Sequence, residues 1–141
     1  MTSHSPSMVL AVDDNEHVLR LISMLLRDAG YRCVTALTGA QGLFRFREEK
    51  PAVVITDLNM PVGDGAILLA ELRCVSRVPV IVLSGYATDY VDRLRYLGDV
   101  LVLTKPFEPQ ILLKHVRARC SPTWQARAQA PPDRDPIIGA A

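Results

Sequence analysis

Short apolar segments alternate with longer amphipathic ones along the chain. Buried strands are predicted over residues 9–12, 31–36, 52–56, 80–83 and 100–104. Between the strands, apolar residues recur at helical spacing, first over 15–29, where Gly30 follows as a cap. Thr38 and Gln41 have the spacing of a capping box, and Pro51 ends the second helix. Further helices are predicted over 66–74, 88–97 and 109–119.

Five strand–helix units with short connections are typical of an α/β domain whose parallel sheet carries helices on both faces. We expect one domain over residues 8–120, preceded by a flexible amino terminus over 1–7. From residue 121 onward, proline and alanine dominate and little remains to bury, so 121–141 is expected to be a flexible tail.

Composition excludes several classes of protein. Hydrophobic residues make up 49% of the 141-residue chain and charged residues 22%, as in soluble globular domains. A net charge of +1 gives no general attraction to nucleic acid or to anionic membranes, and no basic cluster with aromatics follows the last helix. No signal peptide or membrane-spanning stretch is visible, and the three cysteines form no CxxC pair. We therefore expect a cytoplasmic protein with reduced thiols that binds neither nucleic acid directly nor membranes.

Polar residues follow four of the predicted strands at the point where each strand ends. They are Asp13 and Asp14, then Asp57, Ser84 and Lys105. Because parallel strands end at the same edge of a sheet, we expect these side chains to converge in one crevice. Alone, the acidic pair favours a turn in which Asp14 caps the next helix. With Asp57 arriving from a second strand, three carboxylates need a cation, and their hard oxygens suit Mg²⁺.

Asp57 has two chemical roles open to it, that of a metal ligand and that of a nucleophile that attacks phosphorus. A phosphoryl group in transfer needs its oxygens neutralised, and Lys105 supplies a point charge while Ser84 supplies a hydroxyl. Each of these residues also has an ordinary role at a strand end. Because they occur together at four strand ends, a site for a divalent cation and a phosphoryl group is favoured over these ordinary roles. Pro106 is a candidate cis-proline beside the lysine.

These residues occur within longer motifs. Asp57 opens the run Asp-Leu-Asn-Met-Pro, Asp64-Gly65 follows it, Gly85 follows Ser84, and Lys105 lies in Thr-Lys-Pro-Phe. In this order and spacing, residues 8–119 resemble the receiver domain of two-component response regulators. The resemblance implies a flavodoxin-like, doubly wound sheet of five parallel strands in the order 2-1-3-4-5, with five helices.

The resemblance also implies a function for each site residue. Asp57 accepts a phosphoryl group from a phosphohistidine on a histidine kinase or a histidine phosphotransfer protein. Mg²⁺ is bound by Asp13, Asp14, Asp57 and the backbone carbonyl of Asn59, while Ser84 and Lys105 bind the phosphoryl oxygens. Such a domain is a signalling phospho-acceptor that promotes its own phosphorylation and dephosphorylation, and it switches contacts with a downstream protein or a second copy of itself.

Two positions depart from the family pattern. Val102 lies where receivers usually carry Tyr or Phe, so there is no ring to swing inward. Output is therefore expected to pass through the backbone over 84–88 and the helix after it. Gly63 replaces a bulkier residue in the loop after Pro61. With a proline-rich tail and no helix-turn-helix pattern, the chain is expected to be a stand-alone receiver.

Other classes agree less well with the sequence. Acids after the first strand would repel the phosphate of FMN. A haloacid-dehalogenase-like phosphatase would need a second acid where Asn15 stands, and a Rossmann enzyme would need GxGxxG. The remaining alternative is a pseudo-receiver scaffold that binds partners without phosphorylation.

Overall fold

Five parallel strands form one sheet in the computed structural model, which describes residues 6–58, 65–85 and 97–129. The strands are β1 (Met8–Val12), β2 (Arg32–Ala36), β3 (Val53–Asp57), β4 (Val80–Ser84) and β5 (Val100–Thr104). Their order across the sheet is β2-β1-β3-β4-β5, and every neighbouring pair is parallel. The predicted fold class and strand order are therefore confirmed.

Five helices lie within the described residues. They are α1 (Glu16–Asp28), α2 (Gly39–Glu49), α3 (Gly65–Val75), α4 (Pro109–Arg119) and α5 (Pro122–Gln129). The first four agree closely with helices that the sequence predicts, and Pro109 occupies the first turn of α4 as expected. The predicted helix over 88–97 lies outside the described residues except for its last residue. Gly63 lies outside them as well.

The sheet buries both of its faces. Alternate residues of a strand point to opposite sides, so each strand contributes to two cores. One core packs β1 residues Val9 and Ala11 against α1 and α4. The other core packs Leu10 and Val12 against α3, with side chains of α2 at its border. Both faces are apolar, as expected for a parallel sheet covered on two sides.

Side chains cap the first two helices. The Asn15 side chain accepts hydrogen bonds from the backbone N–H of His17 (2.9 Å) and Val18 (3.4 Å), so Asn15 and not Asp14 caps α1. Thr38 Oγ1 accepts from the N–H of Gln41 at 3.1 Å, which confirms the predicted cap of α2. Because Asn15 performs the capping, the carboxylate of Asp14 is not used in the start of α1.

Helix α5 is a departure from the sequence analysis, which expects a flexible tail from residue 121. Residues Pro122–Gln129 are helical and contact the folded domain. The indole N–H of Trp124 donates to the carboxylate of Asp99, and Gln125 Nε2 donates to the carbonyl of Ala52 at 2.9 Å. The tail prediction is therefore wrong for this helix, while 130–141 and 1–5 lie outside the described residues.

The cysteines differ in their surroundings. Cys33 is buried in β2, Cys120 is half-buried after α4, and Cys74 is exposed on α3; all three are free thiols. Burial raises the pKa of the Cys33 and Cys120 thiols, which makes both less reactive. Among the described residues, no helix combines the length and apolar character that crossing a membrane requires.

The packing of α1 allows a matched test of the core. Leu26 is fully buried and Leu21 is 54% exposed on the same helix. We expect Leu26→Ala to lower the free energy of unfolding by about 2–5 kcal/mol, because it leaves a cavity. Leu21→Ala should change it by about 0.5 kcal/mol at most. Urea denaturation measures both, and equal losses would contradict this description of the core.

Candidate functional site

The ends of three strands carry the charged side chains of the candidate site. Asp13 follows β1, Asp57 ends β3 and Lys105 follows β5. The pairing of β1 with β3 matches Val12 to Thr56, so Asp13 and Asp57 are neighbours at the edge of the sheet. The N–H of Asp13 still bonds to the Ala36 carbonyl at 3.1 Å, which continues the β1 ladder to this position.

Alternation along the strands places these three residues on one side of the sheet. They continue the positions whose side chains pack against α1 and α4, such as Ala11 and Ile55. The predicted convergence at the carboxyl edge is thus present for the charged residues, since each strand brings its last residue of that face to the same crevice.

The three predicted carboxylates lie close together. Asp13, Asp14 and Asp57 each have an oxygen within 4.8 Å of the others. Asp13 is 1% exposed and Asp57 is 7% exposed, whereas Asp14 is open to solvent. Two buried carboxylates at this separation repel each other strongly unless a positive charge is near.

Lys105 supplies part of that charge. Its Nζ is 3.1 Å from Asp13 Oδ2 and 3.4 Å from Asp57 Oδ1. The ammonium group therefore bridges the two buried carboxylates, and its side chain points into the crevice. The Lys105–Pro106 peptide bond is cis. Three carboxylates still outnumber the one ammonium group, so the site retains an excess of negative charge that favours a cation.

The donors suit a hard divalent cation. All three side chains offer carboxylate oxygens, and the exposed Asp14 leaves one side of the cluster open to water. Mg²⁺ prefers this combination of a few carboxylates and several retained waters. Asp13 Oδ1 accepts the N–H of Asn15 at 2.9 Å, which fixes the orientation of that carboxylate. Asn59, whose carbonyl is predicted as a ligand, lies outside the described residues.

Ser84 has a different position from the charged residues. It is fully buried at the end of β4, where Leu83 and not Ser84 pairs with Asp57. Ser84 continues the positions of β4 that face α3, and Val102 of β5 packs against the same core. The Ser84 carbonyl accepts the N–H of Lys105 at 2.8 Å. The backbone of Ser84 is thus bonded directly to the residue that carries the bridging ammonium group.

Gly65 contributes to the site in a way that its place in the motif did not reveal. A Cβ at this position would lie 2.1 Å from the carbonyl oxygen of Asp57 and 3.0 Å from the Cα of Leu58. The N–H of Gly65 donates to the Leu58 carbonyl at 3.2 Å. Helix α3 therefore begins in direct contact with the backbone of Asp57, which only a residue without a side chain permits.

Comparison with known proteins gives a consistent match. A family model described as the response regulator receiver domain matches residues 9–117. The probable transcriptional regulator ycf27 of Porphyra purpurea is 37% identical over 112 residues, which cover 78% of this chain and 46% of that protein. The transcriptional regulatory protein KdpE of Mycobacterium tuberculosis is 40% identical over 114 residues, which cover 79% and 50%. The chain thus spans about half the length of these two regulators.

The fold also matches solved structures. The chemotaxis protein CheY4 of Vibrio cholerae superposes with a TM-score of 0.74 at 30% sequence identity. The match covers 80% of this chain and 98% of that chain. The similarity therefore extends over the sheet and the helices that position the site.

The contact of Gly65 with Asp57 generates a prediction. We expect Gly65→Ala to lower the free energy of unfolding by about 1–3 kcal/mol, because the new methyl group overlaps the Asp57 carbonyl and one of them must shift. Gly85→Ala is the matched control, since a Cβ there meets no atom within 4 Å. Thermal or urea unfolding compares the two variants. A Gly65→Ala protein as stable as Gly85→Ala would show that α3 is not in tight contact with β3.

Proposed function

Since the chain belongs to the response regulator receiver domain family, we propose that it is a phosphorylation-controlled switch whose phospho-acceptor is Asp57. The observation that carries this proposal is the position of the Asp57 carboxylate. It is buried at the carboxyl edge of the sheet, 3.4 Å from the ammonium group of Lys105 and beside two further carboxylates. A nucleophile, a fixed cation and a set of hard oxygen ligands are the parts that phosphoryl transfer to a carboxylate needs.

These contacts support the following reaction. A carboxylate oxygen of Asp57 attacks the phosphorus of a phosphohistidine on the donor protein, and a P–O bond forms as the P–N bond breaks. The imidazole leaves with the electron pair of that bond and takes a proton from solvent. Lys105 lies beside the attacking carboxylate, so its ammonium group neutralises negative charge on the phosphoryl oxygens during transfer.

The acidic cluster is proposed to bind Mg²⁺. Asp13, Asp14 and Asp57 provide side-chain oxygens, and the backbone carbonyl of Asn59 is the further proposed ligand. When bound, the ion would supply positive charge that offsets the negative charge of the phosphoryl oxygens. Asp13 is held in place for this role by the N–H of Asn15 at 2.9 Å and by Lys105 at 3.1 Å.

Ser84 is proposed to donate its hydroxyl to a phosphoryl oxygen once Asp57 is modified. Its backbone carbonyl is bonded to the N–H of Lys105 at 2.8 Å, so a movement of Ser84 also affects the end of β5. This link supports a switch in which the phosphoryl group draws two strand ends together.

The partners belong to the proposal as well. The donor is a histidine kinase or a histidine phosphotransfer protein, the target is a protein, and a homodimer of the domain over 8–120 is one form of output. The chain acts as a phospho-acceptor in the cytoplasm and not as an enzyme with a separate substrate. Val102 in place of an aromatic residue supports the second candidate, a scaffold that binds partners without phosphorylation.

Replacing Asp57 separates the two candidates. With Mg²⁺ and acetyl phosphate, intact-mass spectrometry is expected to detect one phosphoryl group on the wild-type chain. Asp57→Asn should carry none, because an amide is a poor nucleophile toward phosphorus. Asp28→Asn, at the exposed end of α1, is the control and should be modified like the wild type. An equal adduct on Asp57→Asn would assign the phosphoryl group to another residue.

Binding of Mg²⁺ can be tested without phosphorylation. At a concentration of about 100 times its Kd, the ion should add about 2.7 kcal/mol to the free energy of unfolding and raise the Tm. Asp13→Asn should lose most of this gain because it removes a buried ligand, whereas Asp28→Asn should retain it. Scanning calorimetry at constant ionic strength measures the shift. An undiminished gain in Asp13→Asn would exclude Asp13 as a ligand.

A further inference from the structure

Helix α5 depends on the rest of the protein for its stability. It has 8 residues and none of them is buried. Isolated helices shorter than about 12–15 residues are marginal in water, so α5 forms only while it is attached to the domain. Loss of its contacts with the domain is therefore expected to unfold α5, so a small change in these contacts would shift the balance between an attached helix and a detached, unfolded segment.

A few side-chain contacts hold α5 in place. The indole N–H of Trp124 donates to the Asp99 carboxylate, and its ring lies 4.5 Å from the guanidinium carbon of Arg119. Gln125 Nε2 donates to the backbone carbonyls of Ala52 at 2.9 Å and Arg119 at 2.7 Å. Ala52 and Asp99 directly precede β3 and β5. Helix α5 is therefore attached at the amino edge of the sheet, opposite the carboxyl edge that carries Asp57.

Asp99 joins α5 to α3. Its carbonyl accepts a hydrogen bond from Arg73 Nη2 at 2.8 Å and another from the N–H of Val80 at 3.0 Å. Arg73, in the last turn of α3, also donates through Nε to the carbonyl of Leu97. Asp99 thus accepts hydrogen bonds from α3 through its backbone carbonyl and from Trp124 through its carboxylate.

The other end of α3 touches the candidate site. Gly65 begins the helix against the carbonyl of Asp57, with no space for a methyl group between them. Between its ends, α3 has Leu68, Leu69 and Leu72 buried in the core. A helix of 11 residues packed in this way spans about 16 Å and moves as a unit, so a displacement at Gly65 reaches Arg73.

We infer that α5 is an output element of the site, released from the sheet when phosphorylation of Asp57 displaces α3 and weakens the Arg73–Asp99–Trp124 contacts. The inference rests on the function proposed above and names its regulation. Release is the expected direction because Gly65 lies too close to the Asp57 carbonyl for the two to approach further. A change at Asp57 therefore pushes α3 away from the position in which Arg73 reaches the Asp99 carbonyl. By linkage, loosening α5 should in turn favour phosphorylation.

The chain contains a reporter for this movement. Trp124 is its single tryptophan, so the tryptophan emission of the whole protein reports α5 alone. The full chain is treated with Mg²⁺ and acetyl phosphate, and acrylamide quenching of this emission is followed with intact mass on the same samples. We expect the quenching constant to rise in proportion to the phosphorylated fraction. Asp57→Asn, treated identically, should show no rise.

Two arginine variants test the route. Arg73→Gln removes the guanidinium that binds the Leu97 and Asp99 carbonyls, whereas Arg47→Gln removes an exposed arginine from the corresponding last turn of α2. We expect both variants to be phosphorylated, with quenching that responds to phosphorylation only in Arg47→Gln. If Arg73→Gln does not fold, as judged by far-UV circular dichroism, Asp99→Asn replaces it, because it weakens the acceptor of Trp124 and keeps the backbone contacts of α3.

The outcomes distinguish the two proposals. A phosphorylated wild type whose quenching is unchanged overturns the inference and leaves phosphorylation of Asp57 intact. An undiminished response in Arg73→Gln overturns the route through α3. Where Asp99→Asn replaces that variant, an undiminished response overturns the last step of the route, from Asp99 to Trp124. A wild type that accepts no phosphoryl group overturns the proposed function, and the inference with it.

Discussion

The site depends on the ion pairs that Lys105 makes with Asp13 and Asp57. Folding brings two carboxylates together at the end of the sheet, where both are almost completely buried. Their repulsion opposes the fold, and one ammonium group at 3.1 and 3.4 Å offsets part of it. The remaining negative charge favours a cation in the crevice, and on the function proposed above that cation would in turn favour the oxygens of a phosphoryl group. The same imbalance that costs stability is therefore the basis of the proposed chemistry.

The sequence predicts those parts of the structure that depend on neighbouring residues or on the topology of a parallel sheet. The strands follow from their apolar composition, and α2 from its cap at Thr38. The meeting of Asp13, Asp57 and Lys105 follows from parallel pairing, because each lies at the end of its strand. The sequence analysis also expects Ser84 in this crevice, whereas alternation along β4 puts its position on the face of the sheet that α3 covers.

Features that depend on distant partners could not be predicted in this way. Trp124 is bound by a residue 25 positions away, and Gln125 by a carbonyl 73 positions away, so composition alone makes α5 look like a loose tail. The closeness of Gly65 to Asp57 depends on how α3 packs, which no local pattern encodes. Asn15 and Asp14 are equally good caps by residue type, and only the geometry after β1 decides between them.

The contacts of Arg73 impose an uneven constraint on how this sequence can diverge. Within the part of the chain that the structure describes, the acceptors of its guanidinium are backbone carbonyls, those of Leu97, Ser76 and Asp99. A carbonyl is present whatever the side chain, so a substitution at Ser76 or Leu97 leaves the acceptor for Arg73 in place. Arginine itself has no substitute, because only a guanidinium presents several donors in one plane. In descendants of this protein, the arginine at the junction between α3 and β5 would therefore be retained, whereas Asp99 would be retained only as long as its carboxylate binds Trp124.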